Sequence, residues 1–242
     1  MNQPTATENT DPSASRKARA PRADTRLALI LAAERIFSEE GISNTSLRRI
    51  TQAAGQRNES AIHYHFGSRE GVVQAILDLR TKPVNAARVA LLGEMRAAAA
   101  GAPLGSPEVA RTLVAPLANY LRTSAGRSHY LRFLGRLWLD RPVWRKFEGR
   151  TQDTGLQLMH EALIEAKPHM PAMIVRQRFA MGIQMGNSTL SRMEGLAFDR
   201  GETYDWKRAE AQTSDLIDSI AAVFDASLSP ETVRALRDCG EF

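Results

Sequence analysis

Apolar residues return every third or fourth position through most of this chain, the period of helices that turn one face to a core. Leu27, Ile30, Leu31 and Phe37 form the first such stripe. Asp24 or Thr25 is placed to cap that helix, and Gly41 to end it. A second helix follows Thr45 or Ser46 and carries Leu47, Ile50 and Ala54 on its inner side, with Gly55 as its stop. After a polar turn, Ile62 and Phe66 lie one helical turn apart and predict a brief third helix, closed by Gly67. Ser68 then caps a fourth helix with Val72, Val73, Ile76 and Leu77.

From residue 80 onward the stripes lengthen. Breaks are expected at Pro83, Gly101 to Pro107, Gly126, Pro142, Pro168 to Pro171 and Gly201, which predicts at least five further helices. Val109, Leu113, Leu117, Tyr120 and Leu121 mark one of them. Leu216, Ile217, Ile220, Val223, Phe224 and Leu228 mark another near the C-terminus. Pro116 is a candidate kink within its helix. No repeat of fixed period interrupts this order, so the chain reads as all-α.

Residues 1–23 have no apolar period and are rich in Thr, Ser, Pro and Ala. They are expected to form a flexible basic tail, because they cannot offset their own ordering entropy. The expected division is therefore a tail over 1–23, a small helical domain over 24–80 and a larger helical domain over 81–242.

Composition narrows the function classes. No apolar run approaches the roughly 18 residues of a membrane span, and the polar N-terminus lacks the apolar core of a secretory signal, so a cytoplasmic location is expected. The single cysteine, Cys239, cannot form an intrachain disulfide. The net charge of +5 is concentrated: residues 16–69 hold ten Lys or Arg against five acids. Positive charge gathered on one small helical domain suits a polyanionic partner. Arg16, Lys17, Arg19 and Arg22, just ahead of the first helix, could reach phosphates or a minor groove, or could serve only solubility.

Two short helices joined through a glycine, the second about two turns long and polar on its outer side, match a helix-turn-helix unit that lays its second helix in the DNA major groove. Ala53 and Ala54 allow the two helix axes to approach. With Ile62 and Phe66 turned inward, Asn58, Ser60, His63 and Tyr64 are left to meet bases or phosphates, bracketed by Arg57 and Arg69. Enzymatic readings find no residue set. His160-Glu161 lacks a second histidine at zinc-protease spacing, and there is no phosphate-cradling glycine loop, nucleophile elbow or cysteine pair. His63 and His65 lie two apart and would point about 160° from one another on a helix, so no metal site is expected there. No cofactor is expected either.

Residues 27–80, about a fifth of the chain, resemble the DNA-binding domain of TetR-family regulators. The resemblance is carried by Phe37, Gly41, Thr45-Ser46-Leu47, Ile50, Ala53-Ala54-Gly55 and Tyr64-His65-Phe66-Gly67-Ser68-Arg69-Glu70, in family order. Thr51 and Gln56 depart from the usual residues, and the link to Tyr64 is one residue longer than the commonest form. The resemblance implies that Thr45, Arg57, Asn58, Ser60, His63 and Tyr64 contact DNA and that Arg69 binds a phosphate. It implies a homodimer on a palindromic operator, released by a small-molecule effector. A second reading keeps the fold as a ligand-binding or protein-interaction scaffold without specific DNA reading.

In the C-terminal region the expected dimer surface is the last two long helices, about 171–195 and 206–228, pairing as a four-helix bundle. Gly182 and Gly186 fit either that crossing or packing within the monomer. Candidate pocket residues are Tyr120, Phe133, Trp138, Met159, Phe179 and Met185, since flexible thioethers and aromatic rings suit an apolar ligand; each also fits ordinary core packing.

Overall fold

The computed structural model describes residues 22–56, 60–147 and 154–241. Its helices are α1 (Arg22–Glu40), α2 (Leu47–Ala53), α3 (Ser60–Phe66), α4 (Arg69–Ala98), α5 (Ser106–Ser124), α6 (Tyr130–Leu139), α7 (Arg141–Trp144), α8 (Thr154–Ala166), α9 (Ala172–Arg200), α10 (Trp206–Asp225) and α11 (Pro230–Asp238). Among the described residues there is no strand, and no helix is long and apolar enough to cross a membrane.

Local chemistry sets most of the boundaries. Ser46 and Ser68 cap α2 and α4, their hydroxyls accepting the backbone N–H of Arg49 and Gly71 at 3.2 Å each. Such caps are each worth about 1 kcal/mol. After α2, Gly55 adopts φ +70°, which lets its N–H reach the Gln52 carbonyl while the Gln56 N–H reaches that of Thr51. That paired closure ends α2.

Several boundaries differ from expectation. The first helix begins at Arg22, two residues before the expected cap. Pro83 does not break α4, which continues for 30 residues, so the division expected after residue 80 falls inside a helix. The proline lies on the exposed side beside Lys82, Ala86 and Ala87, where water can satisfy the carbonyl it leaves without a donor. Val84, Arg88 and Leu92 on the opposite side remain buried. Pro116 likewise sits within an uninterrupted α5. The α9 helix extends to Arg200, α10 ends at Asp225 and leaves Leu228 outside, and α11 was not foreseen.

The first three helices wrap the start of α4 around Ile30, Ala33, Phe37, Ile50, Ile62, Val72, Val73 and Ile76, all buried. Behind them α5, α8, α9 and α10 form a second bundle with which α4 and α6 are continuous in one core. Gly182 decides its own alternative: a Cβ there would come within 2.9 Å of the Phe224 ring and 3.1 Å of Ile220 Cγ2. Its missing side chain lets α9 approach α10 within the monomer. Gly186 is buried toward Val114 of α5.

Polar contacts join the two halves of the molecule. From α1, the buried carboxylate of Glu34 accepts two bonds from Arg80 of α4 and one from the His129 backbone N–H ahead of α6. Arg136 of α6 donates to the carbonyls of Ser38 and Glu39 at the end of α1. Ser43, between α1 and α2, bonds Asp140 Oδ2 through both its N–H and its hydroxyl, at 3.1 and 2.5 Å.

Candidate nucleic-acid interface

The α3 helix has two unlike sides. Ile62 is fully buried and Phe66 half-buried, whereas Ser60, His63 and Tyr64 are exposed. Tyr64 is the most open of the large hydrophobic side chains among the described residues of this unit, 66% exposed, with its ring edge-on to His65 at 5.0 Å. A tyrosine in that setting loses apolar hydration to no core, so its position suits contact with another surface. His63 Nδ1 lies 3.1 Å from the Gly67 carbonyl. A carbonyl only accepts, so Nδ1 carries the hydrogen and Nε2 is the ring's second polar atom. His65 is half-buried between Tyr64 and Phe66.

The base of the unit is built by Arg69 and Thr45. Arg69 donates from Nη1 to the Ser43 carbonyl at 2.8 Å and from Nη2 to the Thr45 carbonyl at 2.7 Å. Its guanidinium, expected to meet a phosphate, thus braces the turn between α1 and α2 against the start of α4. Thr45, expected at the DNA surface, is 1% exposed, and its hydroxyl donates to the Gly41 carbonyl inside that turn. The substituted Thr51 is buried without a polar cost because its hydroxyl donates back to the Arg48 carbonyl at 2.7 Å. Arg57, Asn58 and Glu59, and the basic positions Arg16, Lys17 and Arg19, lie outside the described residues, as does the Arg22 side chain.

Positive charge remains around the exposed side of this unit. Arg48 and Arg49 are exposed on α2, Arg49 pairing with Glu40 at 2.6 Å, and Arg26 lies over the Phe66 ring at 5.2 Å. At the α4 start, Glu70 accepts from Lys146 Nζ at 2.5 Å, and that hydrogen bond pulls its carboxyl down to about 2. Glu70 is therefore ionised, and Lys146, from just past α7, offsets its charge.

The expected pocket residues are not gathered around one space. Phe133, Met159 and Phe179 are buried, with Phe133 stacked on Phe37 at 6.3 Å and Phe179 on Phe224 at 6.5 Å. Tyr120 shares a 2.8 Å hydrogen bond with Ser128, and Met185 is partly buried against the core. Trp138 alone of the six lines the cleft of about 520 Å³ between α6 and α9.

Sequence reasoning missed two buried carboxylates that fasten helices to one another, Glu34 tying α1 to α4 and Glu194 tying α9 to the start of α6. Glu34 occupies the buried stripe of α1 between Ile30 and Phe37, and Glu194 that of α9 between Leu190 and Ala197. A carboxylate at a core-facing helical position was the available signal.

Comparison with known proteins places residues 29–76 under the family model for bacterial regulatory proteins of the tetR family. The HTH-type transcriptional regulator TtgR of Pseudomonas putida is 42% identical over 55 residues, and the repressor BepR of Brucella suis 37% over 62. Those stretches cover 23% and 26% of this chain, and only 26% and 29% of the relatives' own length. Among solved structures, NalD of Pseudomonas aeruginosa, described as the secondary repressor of a multidrug efflux pump, is 20% identical, with a TM-score of 0.46 over 83% of this chain and 96% of that one.

Proposed function

We propose that this chain, whose residues 29–76 match the family model for bacterial regulatory proteins of the tetR family, is a transcriptional repressor that binds a palindromic operator as a homodimer and releases it when a small molecule binds the C-terminal bundle. The observation that carries the reading is the two-sided α3: Ile62 turned into the core, and Ser60, His63 and Tyr64 exposed in one short helix after Gly55. A helix so placed can enter a major groove while α2 crosses the backbone. In this reading Ser60, His63 and Tyr64, with Arg57 and Asn58 before them, touch DNA. Arg69 and Thr45 keep α3 at the right height by bracing the turn that precedes α2.

Two copies would set their α3 helices about 34 Å apart, one turn of DNA. The exposed faces of α9 and α10 are proposed to make the contact between copies. Ligand then acts by shifting that separation, a coupling worth about 1–3 kcal/mol.

A fluorescence anisotropy titration of the full chain against the DNA flanking its own gene tests the reading. Nanomolar binding is expected that weakens steeply as salt rises, because phosphate contacts release counterions. Replacing Tyr64 by Ala should cost at least about tenfold in affinity without changing the far-ultraviolet circular dichroism. Salt-insensitive micromolar binding with no sequence preference would reject it and favour a scaffold that keeps the fold without reading DNA.

A further inference from the structure

We propose that the cleft between α6 and α9 binds a small organic anion with an apolar body, and that the anion loosens α1 by drawing Arg136 away from its carbonyl partners. The binding half stands by itself. The regulatory half rests on the repressor reading above.

The cleft opens beside a close helix contact. Gly135 faces Ser191 so tightly that a Cβ on the glycine would lie 2.8 Å from the serine hydroxyl. Next to that contact the two helices enclose about 520 Å³, within the range of small-molecule sites. Trp138 and Leu139 offer an apolar wall, with Leu139 73% exposed when nothing covers it. The charged lining is Arg132, Arg136 and Arg192 against Asp199. Arg132 lies 3.7 Å from the buried Glu194 carboxyl and over the Phe198 ring at 5.0 Å. Arg136 is held by neutral carbonyls, Ser38 at 3.3 Å and Glu39 at 3.4 Å, and Arg192 reaches in from the exposed side of α9. Cations in excess beside an aromatic wall suit a carboxylate on an aromatic or aliphatic body.

Arg136 supplies the consequence. Its two bonds are long and end on the last turn of α1, the first helix of the DNA-binding unit. A carboxylate makes a shorter, charge-assisted bond to a guanidinium, stronger than a neutral carbonyl does. Occupancy of the cleft therefore competes with the tie between α6 and α1, and operator affinity falls as the tie is lost.

Isothermal titration of the full chain with 2-naphthoate, neutral 2-naphthol and acetate tests the binding half. The naphthoate should bind at least about tenfold more tightly than either, since neither the ring nor the charge suffices alone. Arg192→Gln should weaken naphthoate by at least about fivefold, whereas Arg111→Gln on the exposed side of α5 should change neither naphthoate affinity nor the melting temperature. Equal affinity for naphthoate and naphthol, no effect of Arg192→Gln, or no binding of any probe because a second copy seals the cleft, would overturn the site. Operator anisotropy then tests the second half: saturating naphthoate should lower wild-type affinity, and Arg136→Gln should remove that response. Undiminished operator binding by naphthoate-saturated protein overturns the coupling but not the site. Absence of operator binding in the unliganded protein strikes the repressor reading, and the calorimetric arm still decides the site.

Discussion

Glu34 of α1 and Arg80 of α4 form a two-pronged ion pair, Nε to Oε2 at 2.6 Å and Nη2 to Oε1 at 3.2 Å, with the carboxylate 1% exposed. The same carboxylate accepts the His129 N–H at 2.8 Å and the Ser128 hydroxyl at 3.3 Å, so one buried charge joins the DNA-binding unit to the loop before α6. Removing one partner of a buried pair strands the other. Glu34→Ala is expected to destabilise the protein by about 3–5 kcal/mol, read as a lower urea midpoint. A change below about 1 kcal/mol would mean that the pair is no more than a surface contact.

Glu194 gives a pH dependence of opposite sign to that of an ordinary ion-paired acid. Burial pushes its carboxyl up to about 7, against the pull of the Arg132 and Leu131 backbone N–H groups and the Arg132 charge. A folded acid that holds its proton more readily than the unfolded chain contributes stability that is full below about 4.5 and lost as pH rises through about 7. The swing is on the order of 3 kcal/mol. Thermal melts of wild type and Glu194→Gln between pH 5 and 8 should therefore diverge, with wild type losing stability toward pH 8 relative to the variant. Parallel curves would show that Glu194 is ionised throughout.

Arg69 ties the turn before α2 to α4 through the carbonyls of Ser43 and Thr45. Arg69→Ala should cost about 1–3 kcal/mol, the penalty of leaving those carbonyls without donors. Hydrogen exchange should speed most in residues 42–47. If stability is unchanged and only DNA affinity falls, the guanidinium serves phosphate rather than the frame.

Two glycines within helices should respond in opposite directions to the same substitution. Gly182→Ala places a methyl 2.9 Å from the Phe224 ring and should destabilise by about 1–3 kcal/mol through overpacking. Gly93→Ala, exposed on α4 with nothing within 4 Å of the added carbon, should stabilise by about 0.5–1 kcal/mol by restricting the unfolded chain. Melting temperatures of the two variants decide both.

What was legible in the sequence was local. Ser46 and Ser68 lie next to the N–H groups that they cap, Gly41, Gly55 and Gly67 take up the turn conformations at the ends of their own helices, and Ile62 is buried by the period of its own stripe. Each depends on neighbours within about four residues, so the order of helices and the outward side of α3 could be read directly. The proline at residue 83 misled because its effect depends on which side of α4 meets solvent, a fact set by packing. Tertiary structure alone decided the partners of distant groups. Glu34 met Arg80 and His129 across 46 and 95 residues, Ser43 met Asp140 across 97, and Arg136 took the end of α1 as its partner. Buried charge must find its counterpart wherever the chain brings one, and no periodicity in the sequence encodes that encounter.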